Sequence, residues 1–317
     1  NSVGGTIPTE FGKLTSLVYL SLQDNLLTGT LPTELGMMGE LSYFLLFDNI
    51  ITGTLPTEVG VLSKSLRVLD IHSNSVSGPI PTEVGLLFSL RWLVIWANRL
   101  TGTIPTEIGL LNNCKLIDIQ HNSLIGTLPT EIGMLASLEY FFTGSNSNLY
   151  GSIPNELGNT SLRFFIIANE QISGTIPSEL GNLSQTARNM YLYNNQLSGT
   201  IPSELTFSFT KLERLRMEGN NLTGTIPTEL GVSSINMKVL DLSSNSLYGN
   251  VPSELGRLTR LISLFVYDND LTGVMPQEVC IRAAFRLKDL TADCAVEVEC
   301  ECCSECCTDG AGCDPNI

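Results

Sequence analysis

The 317-residue chain is poor in the groups that carry catalysis and in positive charge. It holds two histidines, His72 and His121, and no Gly-x-Ser-x-Gly elbow, His-Glu-x-x-His pair, phosphate loop or dinucleotide fingerprint. That scarcity points away from an enzyme, and no catalytic residue, metal site or cofactor is expected. Lys and Arg number 17 against 32 Asp and Glu, a net charge of −15. A phosphate backbone needs clustered cations, so no nucleic-acid partner is expected. The longest apolar run, Trp92 to Ala97, falls far short of the roughly 20 residues that cross a bilayer, so this chain is expected to hold no membrane span. Cysteine is nearly missing before residue 280, with Cys114 standing alone. Charged residues make up only 15% while apolar ones reach 43%, enough for a continuous core and unlike a disordered chain.

What abounds is repetition. Leu90 to Gly109 is the clearest copy of a unit that returns every 23 to 25 residues, anchored at Leu27, Ile51, Val76, Leu100, Leu124, Leu149, Ile172, Leu197, Leu222, Leu247 and Leu271. A period in the twenties with Leu-x-x-Leu-x-Leu-x-x-Asn-x-Leu is the signature of a leucine-rich-repeat solenoid. In Leu17-x-x-Leu20-x-Leu22 the alternation gives a short strand with inward leucines, and stacked coils place these strands in one parallel sheet. Asn25, with Asn49, Asn74, Asn98, Asn122, Asn195, Asn220, Asn245 and Asn269, fills an inward polar slot that backbone groups must satisfy. Two coils depart from the pattern. One has an extra residue around Ser145–Asn148; in the next, Glu170 stands in the Asn slot with Asn169 one position early. A buried carboxylate is costly, so a local shift that brings Asn169 into play is expected.

The second half of the unit, Leu-Thr-Gly-Thr-Ile-Pro-Thr-Glu-Ile-Gly at 100–109, resembles the plant-specific class of leucine-rich repeats. That class is found in receptor-kinase ectodomains, receptor-like proteins and polygalacturonase-inhibiting proteins, and the resemblance covers Asn1 to about Val279. It implies an α/β solenoid: a right-handed superhelix with a parallel concave sheet, a second short sheet at Gly-Thr-Ile-Pro, and short convex helical turns. The residues agree, since Ile-Pro sets an extended residue before a helix-compatible first position and Gly can close the turn. A Glu follows two residues after each repeat proline, from Glu10 to Glu278. It reads as an acid near a helical N-terminus, not as a calcium ladder, which needs denser oxygen ligands. The Thr column, including Thr30, Thr54 and Thr103, suits a solvent-facing strand better than an ice-binding array. Cys114 fills a Leu slot and is expected to pack as a small hydrophobe.

Residues 1–279 are therefore read as a solenoid of about eleven coils after a partial first coil, and 280–317 as a cysteine-rich cap. Asn1 to Pro8 aligns with the second half of a repeat, so an N-terminal cap is expected ahead of it. Cys280, Cys294, Cys300, Cys302, Cys303, Cys306, Cys307 and Cys313 crowd the last 38 residues, an even set that reads as a disulfide framework of an oxidising compartment. A short helix is expected over Arg282–Leu290. The Cys-x-Cys-Cys-x-x-Cys-Cys run exceeds the plant cap and is similar to the tails of secreted repeat proteins of algae such as diatoms. Asn159, Asn182 and Asn221 head Asn-x-Ser/Thr glycosylation triplets. These features together predict a secreted or cell-surface protein.

Strand positions between the inward leucines point outward, onto the concave face. They include Tyr43, Phe47, Trp92, Trp96, Tyr140, Phe142, Phe164, Tyr191, Tyr193, Arg214, Arg216, Phe265 and Tyr267. The same rule sends Val68, Asp241 and Ser263 outward, and makes Asp70–His72 and Asp118–His121 hydrogen-bonded surface pairs. Tyr, Trp and Arg dominate binding energies, and a contiguous exposed apolar patch marks an interaction surface. The expected function is recognition of a protein, peptide or glycan, with Arg214 and Arg216 suited to a carboxylate or sulfate. A structural or adhesive component of matrix, cell wall or filament, with self-assembly, is a second reading. A hydrolase inhibitor is a third.

Overall fold

The computed structural model describes residues 2–146, 148–205, 209–283, 286–293, 298–308 and 312–314, the last three and 308 by backbone only. It divides into two compact units, Asn1–Leu162 with Asn169–Gln171, and Arg163–Ala168 with Ile172–Ile317.

In the first unit each repeat closes one coil. The three-residue strands Tyr19–Ser21, Tyr43–Leu45, Val68–Asp70, Trp92–Val94, Leu116–Asp118 and Tyr140–Phe142 pair in parallel and in register to form a broad sheet. Their central residues, among them Phe44, Leu69, Leu93 and Phe141, point inward and are buried. A narrower ladder runs along the second half of the repeat, pairing for example Ser77–Pro79 with Arg99–Thr101 and Ile125–Thr127 with Asn148–Gly151. The turn that follows is a short 3₁₀ helix: Thr33–Met37, Thr57–Leu62, Thr82–Leu86, Thr106–Leu110 and Thr130–Met134.

These turns differ in two respects from the sequence reading. Pro32 is extended (φ −71°, ψ 140°) and precedes the helix rather than opening it. Gly36 closes no turn either. A Cβ there would sit 2.6 Å from the carbonyl oxygen of Glu58 in the next coil, so glycine is required by the close approach of successive turns. The other repeating glycine is a conformational one: Gly29 has φ +78°, and the methyl of Thr6 occupies the space above it.

The Asn slot behaves as a ladder. Asn98 Oδ1 accepts from the Val76 amide at 2.9 Å, and its Nδ2 lies 3.0–3.2 Å from the carbonyls of Ile71, Ile95 and Trp96. One side chain thus ties two coils together. Asn146 belongs to the same ladder, so the extra residue falls after the slot, between Asn146 and Leu149. The shift expected at Asn169 does not occur. Asn169 takes the left-handed position (φ 57°) held by Asp48, Ala97 and His121 in other coils, and Glu170 itself fills the buried slot. Its longer carboxylate accepts from the amide of the preceding slot residue, Asn146, at 2.9 Å, a donor that in other coils goes to a backbone carbonyl, as Asn98 N does to His121 O.

The second unit repeats the scheme with parallel strands Phe164–Ile166, Asn189–Tyr191, Arg214–Arg216, Val239–Asp241 and Ser263–Phe265. Its coils carry 3₁₀ turns such as Ser178–Gln185 and Ser253–Arg257, and one α-helical turn, Glu229–Ser233. The helix expected over Arg282–Leu290 lies earlier, at Gln277–Ala283. Leu290 instead continues the inward alternation, and Asp289–Ala292 joins the sheet in parallel with Ser263–Phe265. Glu305–Thr308 follows in parallel and Gly312–Asp314 antiparallel. Disulfides join Cys280 to Cys302 and Cys300 to Cys303, and Cys306 and Cys307 are also disulfide-bonded. Cys294 and the side chain of Cys313 lie outside the described residues. Cys114 is free and buried, and burial pushes its thiol up to about 12, leaving it inert. Among the described residues no helix is long and apolar enough to cross a membrane, and no cluster of three or more His, Cys, Asp or Glu could hold a metal ion.

Candidate functional site

The broad sheet of each unit has one buried face and one open face. In-register pairing sorts the open-face side chains into columns, one residue per coil. Neighbouring strands lie about 4.8 Å apart, so aromatic residues in one column are brought to stacking distance by the backbone alone.

In the first unit that happens in the column just beyond the strands. Phe47, His72 and Trp96 stack nearly parallel, with ring centroids 4.5 and 4.6 Å apart and interplanar angles of 8° and 11°. His72 Nδ1 lies 2.6 Å from Asp70 Oδ1, which holds the imidazole in line with the two carbon rings. Tyr19 and Tyr43 form a second pair, centroids 5.4 Å apart, and Tyr140 meets Phe142 edge-on. Trp92 is half exposed. His121 does not pair with Asp118 as expected, because its backbone takes the left-handed position. Gln120 bonds that carboxylate instead, at 3.1 Å. Burial raises the Asp118 pKa, opposed by the Gln120 hydrogen bonds and by the two histidines.

The second unit carries a polar counterpart. Phe164, Tyr191 and Tyr193 are in edge or tilted contact, and the Arg216 guanidinium lies 4.8 Å from the Tyr193 ring centre and 5.9 Å from that of Tyr191. Arg216 is bonded to Glu218 and is 3.8 Å from Asp241. Burial, and then the nearby Asp241, lift the Glu218 carboxyl to about 7. Its Oε2 is buried without a hydrogen-bond partner. Burial likewise raises Asp241, against its hydrogen bonds with Ser243. Arg216 is therefore committed within the protein, while Arg214, one alternation earlier, makes no ion pair among the described residues.

Every aromatic and Arg residue named from the sequence for this face, Tyr43 through Tyr267, is exposed or half-exposed on it. Val68, Asp241 and Ser263 are not: larger neighbours in their columns cover these shorter side chains, and they are buried. His72 and Glu218 were outside the named set although the same alternation places them there. The signal that finds them is column membership across coils, which a single repeat does not display. Asn159, Asn182 and Asn221 are exposed.

The Leucine Rich Repeat family model matches residues 16–38, 65–87, 187–207, 211–232 and 236–258. A leucine-rich-repeat protein from Leptospira interrogans is 32% identical over 93% of this chain and 70% of its own, with a TM-score of 0.73. The chain belongs to the leucine-rich-repeat family. Two receptors share the repeat architecture. The plant peptide hormone receptor RGFR1, in complex with RGF2, is 32% identical over 92% of this chain and 50% of that one, with a TM-score of 0.77. A TDR receptor is 31% identical over 92% and 49%, with a TM-score of 0.83. This leucine-rich-repeat chain spans about half the length of those receptors. No curated protein sequence matches it.

Proposed function

We propose that this is an extracellular, non-catalytic recognition module that binds a peptide or an extended protein segment across the open face of its broad sheet. The observation that carries the reading is the half-buried Phe47–His72–Trp96 stack, with the exposed Trp92 further along the same face, an ordered aromatic surface on rigid strands. Pre-ordered aromatic rings lose little entropy on binding and supply most of the energy at interfaces. Among proteins of similar architecture, a plant peptide hormone receptor is known in complex with RGF2, which favours a peptide over a glycan. Taken by itself, the second unit offers Arg214, an uncommitted cation on its open face, for a carboxylate or sulfate. The disulfides of the C-terminal segment and the exposed asparagines of three Asn-x-Ser/Thr triplets support an extracellular setting.

The test is the Trp92→Ala/Trp96→Ala double variant. It is expected to melt within a few degrees of the parent, because neither ring is in the core, and to lose capture of partners from the native secretome by at least about tenfold. Unchanged capture would move the binding surface elsewhere.

A further inference from the structure

A second surface stands apart from the sheet face, on the 3₁₀ turns of the first unit. Met37, Val61, Leu86, Leu110 and Met134 recur at the fifth position of successive turns and are between 40 and 70% exposed. The glutamate of each turn comes three residues earlier, as in Glu58 before Val61 and Glu83 before Leu86. Side chains at i and i+3 of a 3₁₀ helix eclipse one another. An apolar file and a carboxylate file therefore lie side by side, one pair per coil. Close packing of each turn's glycine on the next coil keeps the files in step, with the would-be Cβ of Gly60 2.7 Å from the Glu83 carbonyl oxygen.

None of these five glutamates is ion-paired among the described residues. Each carboxylate accepts only from the hydroxyl of the preceding Thr, at 3.2–3.4 Å. The apolar file belongs to the first unit. It ends there at Asn159, the fifth residue of the turn Asn155–Asn159; in the second unit the same position holds Asn182, Val232, Arg257 and Ile281, and both asparagines head glycosylation triplets.

We propose that this edge docks a cationic amphipathic helix of a partner protein, its apolar stripe on the Met37–Met134 file and its Lys or Arg residues on the glutamates. The spacing selects a helix. Coils repeat about every 4.8 Å, so the five-residue file is about 19 Å long. A helix presents one side chain per 5.4 Å turn and covers four steps in about 22 Å. A strand, with same-face residues about 6.8 Å apart, needs about 27 Å and loses step by the second coil. The charge selects a cationic partner. A second copy of this chain would bring more carboxylates to the edge, and an anionic bilayer would be repelled.

The probe is a synthetic helix of about 18 residues with one Leu per turn flanked by Lys, compared with a scrambled peptide of identical composition. Calorimetry should give at least about tenfold tighter binding of the ordered helix, weakening as salt rises from about 50 to about 500 mM. Val61→Asp/Leu86→Asp should reduce binding about tenfold or more, while Trp92→Ala/Trp96→Ala should leave it intact and so separates this surface from the sheet face. Val61→Ser/Leu86→Ser is the substitute should the Asp variant fail to fold. Equal binding of the scrambled peptide, or indifference to the Val61 and Leu86 changes, overturns the proposal. So does loss of self-association in those variants by sedimentation, or loss of binding to phosphatidylcholine–phosphatidylserine vesicles, in place of an effect on the helix.

Discussion

At the scale of single residues, two polar groups, Glu218 on the open face and Asn98 in the inward ladder, have measurable consequences. Glu218 is raised from an ordinary 4.5 to about 7 by burial and by Asp241. The unfolded carboxyl ionises first as pH rises, so the contribution of this group to stability is complete below about pH 4.5 and is lost as pH climbs through about 7. Glu218→Gln keeps an acceptor for Arg216 and is expected to flatten that decline by on the order of 2 kcal/mol between about pH 5 and pH 8, read from urea unfolding at the two values. Asn98 serves four backbone groups from one buried side chain. Asn98→Ala is expected to cost roughly 2–4 kcal/mol in the same assay, and Asn25→Ala less, since Asn25 is only half-buried and lacks an equivalent set of partners in a preceding coil. The Asn ladder was legible in the sequence because an inward polar residue has few ways to be satisfied. Glu170 was not, because the cost of burying a carboxylate argued for a shift, whereas the backbone amide of Asn146 was already placed to receive it.

At the scale of elements, the strands of the repeats were readable and the turns only partly. Period-two alternation in Leu17–Leu22 and its copies fixes which face is buried, and the rings of Trp92 and Trp96 stand outside as that pattern required. The turns are too short to carry a periodicity, so the pairing of Glu58 with Val61 appears only once the helix type is known. Their glycines look like helix stops in sequence but are contact points in space. Gly85→Ala would put a methyl 2.4 Å from the Glu107 carbonyl oxygen and is expected to lower stability by more than about 2 kcal/mol. Gly39→Ala, with nothing within 4 Å and no positive φ, should change it by less than about 0.5 kcal/mol. Thermal melts of the two variants make the comparison.

At the scale of the whole molecule, the repeat number and the coil plan could be counted from spacing alone. The end of the array could not be. The cysteine-rich segment hides another sheet strand, Asp289–Ala292, because Leu287 and Leu290 sit among charged and cysteine residues that mask the leucine pattern. Coils in a repeat array are stabilised chiefly by their neighbours, so reduction of Cys280–Cys302 and Cys300–Cys303 should loosen the last coils first. Hydrogen exchange in reducing buffer is expected to accelerate at Ser263–Ala292 while amides around Leu93 keep their protection.

The seam between coils carries a further consequence. Thr6, Thr30 and Thr54 each seat a methyl over the glycine of the following coil, at Gly29, Gly53 and Gly78. Every such coil offers the same peg on one side and the same notch on the other, so any of them can mate with any other. The number of coils is then free to drift through gain or loss of whole units, while a fragment of a unit would leave a peg without its notch. Duplication can thus add stretches of surface to this molecule without redesign of its interior.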